Sequence, residues 1–253
     1  MQIMNKIKIF SVIFLSLYTL TLSAKDYKAS LFGIKSEGFT LNTRSIQKAV
    51  DFISENGGGK LIFYVGRYLT GTIELKSNVT IELKEGAVLI ATSSVYDYFG
   101  VKGTRALIMA DGQQNIGIFG KGVIEGQGAT LLEQIEIQIQ KGYLRETITQ
   151  ASPSLIAMNN CTQITLDQFN LMAACGNALS ISGCKNLTCS RLSVISTAVK
   201  GSKGIVIDGC DGVHLTGLYF ETSGEELSSA GISKNISVTD CKNKNGKMVQ
   251  LKN

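Results

Sequence analysis

The feature that most narrows what this chain can fold into is a short pattern that returns along most of its length. A polar leader precedes a triplet in which two apolar residues flank a small or polar one. It reads Asn78-Val79-Thr80-Ile81, Asn115-Ile116-Gly117-Ile118, Gln163-Ile164-Thr165-Leu166, Asn186-Leu187-Thr188-Cys189, Gly212-Val213-His214-Leu215 and Asn235-Ile236-Ser237-Val238. The last three steps between leaders are 23, 26 and 23 residues, and the earlier steps of 37 and 48 leave room for inserted loops or a further coil. Further β-prone runs lie between the triplets: Leu179-Ser180-Ile181, Leu192-Ser193-Val194, Ile205-Val206-Ile207 and Leu218-Tyr219-Phe220. Three short strands in a period of about 24 residues leave no helix between strands, which excludes a helix bundle or a Rossmann unit. A leucine-rich repeat needs a regular Leu framework and a helical segment per repeat, and neither is present. The pattern predicts an all-β, right-handed parallel β-helix. Each coil holds three strands and three turns, and strands of successive coils stack with their apolar side chains inward.

A stack of strands has exposed ends, and an uncovered end invites pairing with another chain. Ile46, Ala49, Val50 and Ile53 fall at helical spacing between a capping Asn42 or Thr43 and the stop Asn56-Gly57-Gly58-Gly59. This predicts a helix over about 43–56 that plugs the first coil. The segment about 129–150 interrupts the repeat with Gln, Glu and Lys. It reads as a helical insertion or a long loop, although Ile135, Ile137 and Ile139 alternate as in a strand. No linker or low-complexity tract divides the remainder, so residues 25–253 are expected to form one domain. The far end of the stack is a surface through which copies of the chain could associate.

Composition agrees. Of the 253 residues 44% are hydrophobic and 18% charged, which excludes a disordered chain, and one Pro excludes a Pro-rich or collagenous one. The 27 Gly suit turns and not helices. The net charge of +5 comes without a dense Lys/Arg patch, so nucleic acid is not an expected partner. Residues 1–24 have the layout of a secretory signal: Lys6 and Lys8, an apolar run from Ile9 to Leu15, and the small-residue exit Leu22-Ser23-Ala24. The alternative, a membrane anchor, is weakened by Ser11, Ser16 and Thr19, which break the apolar core. Export to the periplasm or the extracellular space is the expectation, with no membrane contact after cleavage. Four of the six Cys, namely Cys161, Cys184, Cys210 and Cys241, each close a short polar turn. Cys at one phase of a repeat suggests a stacked column of buried thiols in place of disulfides, and no spacing matches a zinc site. No cofactor is implied.

The order of several motifs resembles a known family. Phe32-Gly33-Ile34-Lys35-Ser36-Glu37-Gly38, the capping helix and Gly57-Gly58-Gly59-Lys60-Leu61-Ile62-Phe63 come first. Gly66-Arg67-Tyr68-Leu69-Thr70-Gly71, Leu75-Lys76-Ser77-Asn78-Val79-Thr80, Glu85-Gly86-Ala87-Val88-Leu89 and Gly120-Lys121-Gly122-Val123-Ile124-Glu125-Gly126-Gln127-Gly128 follow. From about Phe32 onward the chain resembles the polygalacturonases, glycoside hydrolase family 28. The resemblance implies a β-helix acting on galacturonan or another pectic, uronate-containing polysaccharide. Its motifs place one Asp in Asn-Thr-Asp-Gly and two in Gly-Asp-Asp one coil later, followed by Gly-His-Gly and Arg-Ile-Lys. The first falls on Gly201-Ser202-Lys203-Gly204-Ile205, which has Lys203 in place of Asp. The second falls on Ser223-Gly224-Glu225-Glu226-Leu227, the third falls near Asn245-Gly246 without a His, and the sequence to Asn253 contains no Arg-Ile-Lys.

Glu225 and Glu226 are therefore the candidate catalytic carboxylates, with Asp208 as a third, and Lys200 and Lys203 are candidate ligands for a uronate carboxylate. Inverting hydrolysis needs one protonated and one ionised carboxyl, roughly 6.5–9.5 Å apart. Coils stack at about 4.8 Å, so Lys203 is expected within pairing distance of Glu225 or Glu226. A neighbouring cation favours an ionised carboxylate, and a general acid needs the reverse. The only His, His214, occupies the phase of Thr80, Thr165, Thr188 and Ser237 and should point outward without a role. Tyr64, Tyr68, Tyr96, Tyr98 and Phe99 are either sugar-stacking platforms or core. Three function classes follow: a hydrolase with a shifted Glu-based acid site, a non-catalytic polysaccharide-binding relative, and a structural or adhesive scaffold. A lyase would need a carboxylate cluster for Ca²⁺, and none is evident.

Overall fold

A computed structural model describes residues 25–251 apart from Lys102; the expected export segment over residues 1–24 lies outside them. Three sheets built almost wholly of parallel strands form the right-handed parallel β-helix expected from the repeat. Sheet 1 has eight strands: Lys25–Lys28, Gly59–Phe63, Val79–Leu83, Gln114–Gly120, Thr162–Asp167, Lys185–Ser190, Asp211–Thr216 and Lys234–Thr239. Sheet 2 runs Gly66–Thr70, Ala87–Ala91, Val123–Glu125, Asn170–Met172, Ser193–Ser196, Tyr219–Thr222 and Lys242–Asn243. Sheet 3 runs Ile73–Glu74, Thr104–Asp111, Ser154–Asn159, Leu179–Ser182, Ile205–Asp208 and Leu227–Ala230. A short strand, Gly100–Val101, turns back antiparallel on the start of Thr104–Asp111.

The repeat triplets are sheet 1, and their register is the sequence pattern itself. Ile116, Ile164, Leu187, Val213 and Ile236 are mutual strand partners on successive coils. The polar leader has a backbone reason. Asn78, Asn115, Gln163, Asn186 and Asn235 all have φ between 53° and 63°, and Gly212 has φ of 73°. Left-handed backbone clashes with Cβ, and Gly and Asn tolerate it best. Stacked leaders also bond to one another: Asn115 Nδ2 donates to Asn78 Oδ1 at 3.0 Å.

Two of the three corners are built by the same device, a left-handed residue followed by a buried one. Between sheets 1 and 2, Gln168, Arg191, Gly217 and Asp240 have positive φ, and Phe169, Leu192, Leu218 and Cys241 behind them are buried. Between sheets 3 and 1, Asn160, Gly183 and Gly209 play the first part, and Cys161, Cys184 and Cys210 the second. This corrects the expected four-thiol column. Three thiols share one corner, where the Cys161 N–H donates to Cys184 Sγ at 3.3 Å. The fourth place is held by Ser233, whose Oγ accepts the Cys210 N–H at 3.0 Å, and Cys241 belongs to the other corner. All six thiols are free and buried, and burial pushes the Cys189 thiol well above its usual range.

Helix α1, Thr43–Glu55, is the expected plug: Ile46, Ala49, Val50 and Ile53 are fully buried against the first coil. Its entry is held by Asn42, which accepts the Lys35 N–H at 2.8 Å and donates to the Lys35 carbonyl at 2.9 Å. Of the four, Ile46, Val50 and Ile53 contribute roughly 1.5–3 kcal/mol each by burial. The insertion is helical. Helix α2, Gly128–Gln140, buries Leu131 and Ile135 with Ile139 packed behind them; these three form the inward stripe, and Ile137 falls off it, so the strand-like alternation has no structural meaning. A short helix α3, Ile148–Ala151, follows behind a capping box in which Thr147 and Gln150 bond each other's backbone N–H.

The third corner, between sheets 2 and 3, is different. There the connections are long: residues 92–103, 126–153, 173–178, 197–204 and 223–226. They rise beside the outer face of sheet 3 and make one wall of the site.

Candidate functional site

A groove of about 710 Å³ runs across the outer face of sheet 3. Its floor is made by outward positions that alternate with the core residues. Ser180 and Val206 occupy one row, and Asn159, Ser182 and Asp208 another, while Ile156, Leu179 and Ile205 point inward. A third row lies at the long-turn corner, where Ser154, Asn177, Lys203 and Glu225 stack on consecutive coils. The register is fixed by Leu155 N–H donating to the Asn177 carbonyl at 3.0 Å, Ala178 N–H to Lys203 at 2.9 Å and Gly204 N–H to Glu225 at 2.9 Å. Gly204 is required at this point: a Cβ there would lie 2.2 Å from the Glu226 carbonyl oxygen. Side-chain bonds tie the floor together. Asn177 Nδ2 donates to Ser180 Oγ at 3.0 Å, Ser180 Oγ lies 3.1 Å from Ser154 Oγ, and Ser182 Oγ donates to Asp208 at 3.2 Å.

The residues singled out by sequence fall in two groups. Lys200, Lys203 and Asp208 line the groove; Glu225 and Glu226 stand just outside its lining, one coil beyond Lys203. Lys203 Nζ donates to Glu225 Oε2 at 2.9 Å, the pairing that the stacking distance predicts, with both side chains about two-fifths exposed. Glu226 Oε1 accepts from Asn243 Nδ2 at 3.2 Å. Asp208 sits at the opposite edge of sheet 3, five residues along from Lys203, so some 16 Å of extended chain separates the two. The groove therefore does not bring Asp208 together with the two Glu.

A cation bonded to a carboxylate stabilises its charged form, whereas a general acid has to hold its proton until the leaving group takes it. Together with Lys200, Lys203 gives the groove two ammonium groups at this corner. Cys175 also lines the groove; burial raises its thiol above the usual range, further than a bond to Ser152 lowers it, which disfavours the thiolate. Among the described residues no three His, Cys, Asp or Glu side chains converge as a metal site would.

His214 lies on the outer face of sheet 1, exposed, with Nδ1 2.8 Å from Ser237 Oγ. Tyr68 and Tyr98 are core, and burial pushes the Tyr98 hydroxyl far up; Tyr64, Tyr96 and Phe99 are exposed. Sequence reasoning missed Ser154 and Asn177, which share the column of Lys203, and Ser180 in the row of Val206; only the sheet 3 register reveals both rows. It also missed Arg105 and Glu146. Arg105 Nη2 donates to Glu146 Oε1 at 2.9 Å across 41 residues of chain, a pairing with no sequence signal.

Comparison with known proteins gives the site its family. The family model of glycosyl hydrolases family 28 matches residues 62–249. Over 127 residues the chain is 32% identical to an exo-poly-alpha-D-galacturonosidase of Dickeya chrysanthemi, covering 44% of this chain and 21% of that one. The chain spans 21% to 44% of the length of the curated relatives it matches. Among solved structures, a candidate glycosyl hydrolase from Parabacteroides merdae is 51% identical, with a TM-score of 0.85, covering 88% of this chain and all of that one. The family 28 exopolygalacturonase of Yersinia enterocolitica has a TM-score of 0.79 at 20% identity, a likeness of fold, over 87% of this chain and 49% of that one. With the model spanning most of the helix and both halves of the groove, this chain belongs to glycosyl hydrolases family 28.

Proposed function

We propose that this chain binds a pectic, uronate-containing polysaccharide in the sheet 3 groove and does not cleave it by the paired-acid mechanism. The observation that carries this reading is the Lys203–Glu225 ion pair at 2.9 Å, in the column where the family pattern has carboxylates. Inverting hydrolysis needs one carboxyl protonated and one ionised on opposite sides of the glycosidic bond. Here the first position is a cation, its partner is the adjacent Glu225, and Glu226 is engaged by Asn243. The same side chains suit binding. Lys200 and Lys203 offer ammonium groups to uronate carboxylates, and the Ser and Asn of the floor offer donors and acceptors to hydroxyls. The layout of residues 1–24 supports an exported protein working in the periplasm or outside the cell, where such polymers are met.

The test is a reducing-sugar assay of the mature protein on polygalacturonate and rhamnogalacturonan, run beside calorimetry on the same polymers. Binding without release of reducing ends is expected. Lys203→Gln should weaken binding at least several-fold, with the loss shrinking as salt rises. Release by the parent that disappears in Glu226→Gln would overturn the reading and establish a Glu-based hydrolase. Neither release nor binding would favour the scaffold.

A further inference from the structure

A second cavity, of about 440 Å³, opens beside the groove between two protrusions of the long-turn corner. The 92–103 connection gives it Tyr98 and Phe99, and the insertion gives it Glu146 and Gln150. Its volume is that of a small-ligand site, which runs to about 300–1,000 Å³. Gly103, Arg105 and Gln150 line both the cavity and the groove, so a molecule in one lies next to a molecule in the other. The two differ in chemistry. The groove presents the ammonium groups of Lys200 and Lys203. Among the described residues that line the cavity, the charged ones are Arg105 and Glu146, and they neutralise each other: Arg105 Nη2 donates to Glu146 Oε1 at 2.9 Å. Such a cavity has no spare charge for a carboxylate. It does have an unused donor and an unused acceptor, since Arg105 Nη1 and Glu146 Oε2 are buried and without a hydrogen-bond partner. Leaving either unmade is costly. One hydroxyl serves both atoms, accepting from the guanidinium and donating to the carboxylate. The two side chains are 22% and 41% exposed, so a small turn of either brings its free atom into the cavity. The cavity also carries an exposed ring. Phe99 is 48% exposed, whereas Tyr98 is core, its hydroxyl donating to the Thr92 carbonyl at 2.6 Å. An aromatic face beside hydroxyl-binding atoms of no net charge fits a neutral sugar, which has a C–H face and a rim of hydroxyls.

We propose that the groove holds the backbone of a branched uronate polysaccharide and the second cavity holds a neutral sugar branching from it, read by Phe99 and the Arg105–Glu146 pair. This rests on the reading of the groove as a uronate site. Linear polygalacturonate has nothing to offer the cavity, because each of its sugars carries a carboxylate. A branched chain fills both spaces at once, and the residues shared by groove and cavity mark where the branch leaves the backbone.

The experiment compares one polymer with and without its branches. Rhamnogalacturonan bearing neutral galactan side chains, the same polymer after those chains are trimmed enzymatically, and linear polygalacturonate are each titrated into the mature protein by calorimetry. The branched polymer is expected to bind at least several-fold tighter than the trimmed one. Phe99→Ala should abolish that difference while binding linear polygalacturonate as the parent does, and Phe99→Tyr, which keeps a ring, should retain it. Equal affinity for branched and trimmed polymer overturns the inference and leaves the uronate reading standing. No binding to any of the three removes the uronate reading, and the inference with it. A branch preference that survives in Phe99→Ala overturns the assignment of the branch to this cavity. Free galactan oligomers that bind as tightly as the branched polymer overturn the link between branch and backbone. Phe99 is half exposed, so both variants are expected to melt with the parent, and the parent's ratio of branched to trimmed affinity decides alone if they do not.

Discussion

Asn186 holds a φ of 55° in the middle of the stack, where its neighbours above and below do the same. Replacing it by Gly relieves the Cβ clash, so Asn186→Gly should leave the thermal midpoint nearly unchanged. Asn186→Val puts a branched Cβ into left-handed backbone and should cost about 1–2 kcal/mol in denaturant unfolding. Asp167 makes a different kind of prediction. Burial raises its pKa, but bonds from Arg191 and Ser190 outweigh that and hold the carboxyl below its usual 3.8. A depressed carboxylate adds stability above its unfolded pKa and loses it as pH falls through the folded value. Asp167→Asn should therefore be less stable than the parent at neutral pH by under about 1 kcal/mol, since the pair is exposed. The difference should close in melts carried to strongly acid pH. At this scale much was legible. The leader residues announced themselves as Asn or Gly because backbone sterics restricts what stands there, and Lys203 was read correctly beside Glu225 because stacking distance is fixed. Arg105 and Glu146 were not legible, since the chain between them sets no register.

Among the elements, helix α1 is held by its buried stripe and by bonds from Thr43, Gln47 and Ser54 to the coil beneath it; Ile53 is the fully buried end of that stripe, so Ile53→Ala should cost roughly 2–4 kcal/mol. The first coil should open ahead of the rest, seen as hydrogen exchange near Gly59–Phe63 rising before exchange in the central strands. The thiols of the corners give a second check. All six are buried, so labelling by a thiol reagent should be negligible in the native protein and complete after unfolding. Helix α1 was legible because four apolar residues fell on one face between clear stops. Helix α2 was less so: Ile135, Ile137 and Ile139 fit a strand as well as a helix, and the decisive spacing, Leu131 to Ile135 to Ile139, emerges only once those three are seen to pack. The Cys column was misread at one member because polar-turn-then-Cys is the signature of two corners, and nothing local distinguishes them.

Across the whole molecule each coil contacts mainly its neighbours, so stability is close to a sum along one axis. Leu187→Ala in a central coil should lower global stability by about 2–5 kcal/mol. Val238→Ala in the last described coil, where the side chain is only partly buried, should cost less and act mainly on local exchange. The period revealed the stack but not its cross-section, which depends on which turns are long. Two corners are closed by turns of minimal length, such as 168–169, 191–192, 183–184 and 209–210, each locked by one left-handed residue and one buried one. The third corner carries every long connection from 92–103 to 223–226. A residue added to either locked corner would shift the register of all coils above it. One added at the third corner changes only the rim of the groove. The molecule thus divides inheritance between two edges that must be copied faithfully and one edge that is free to drift. New ligand preferences in chains of this build should arise by lengthening or trimming that single edge, while the other two pass on the fold unchanged.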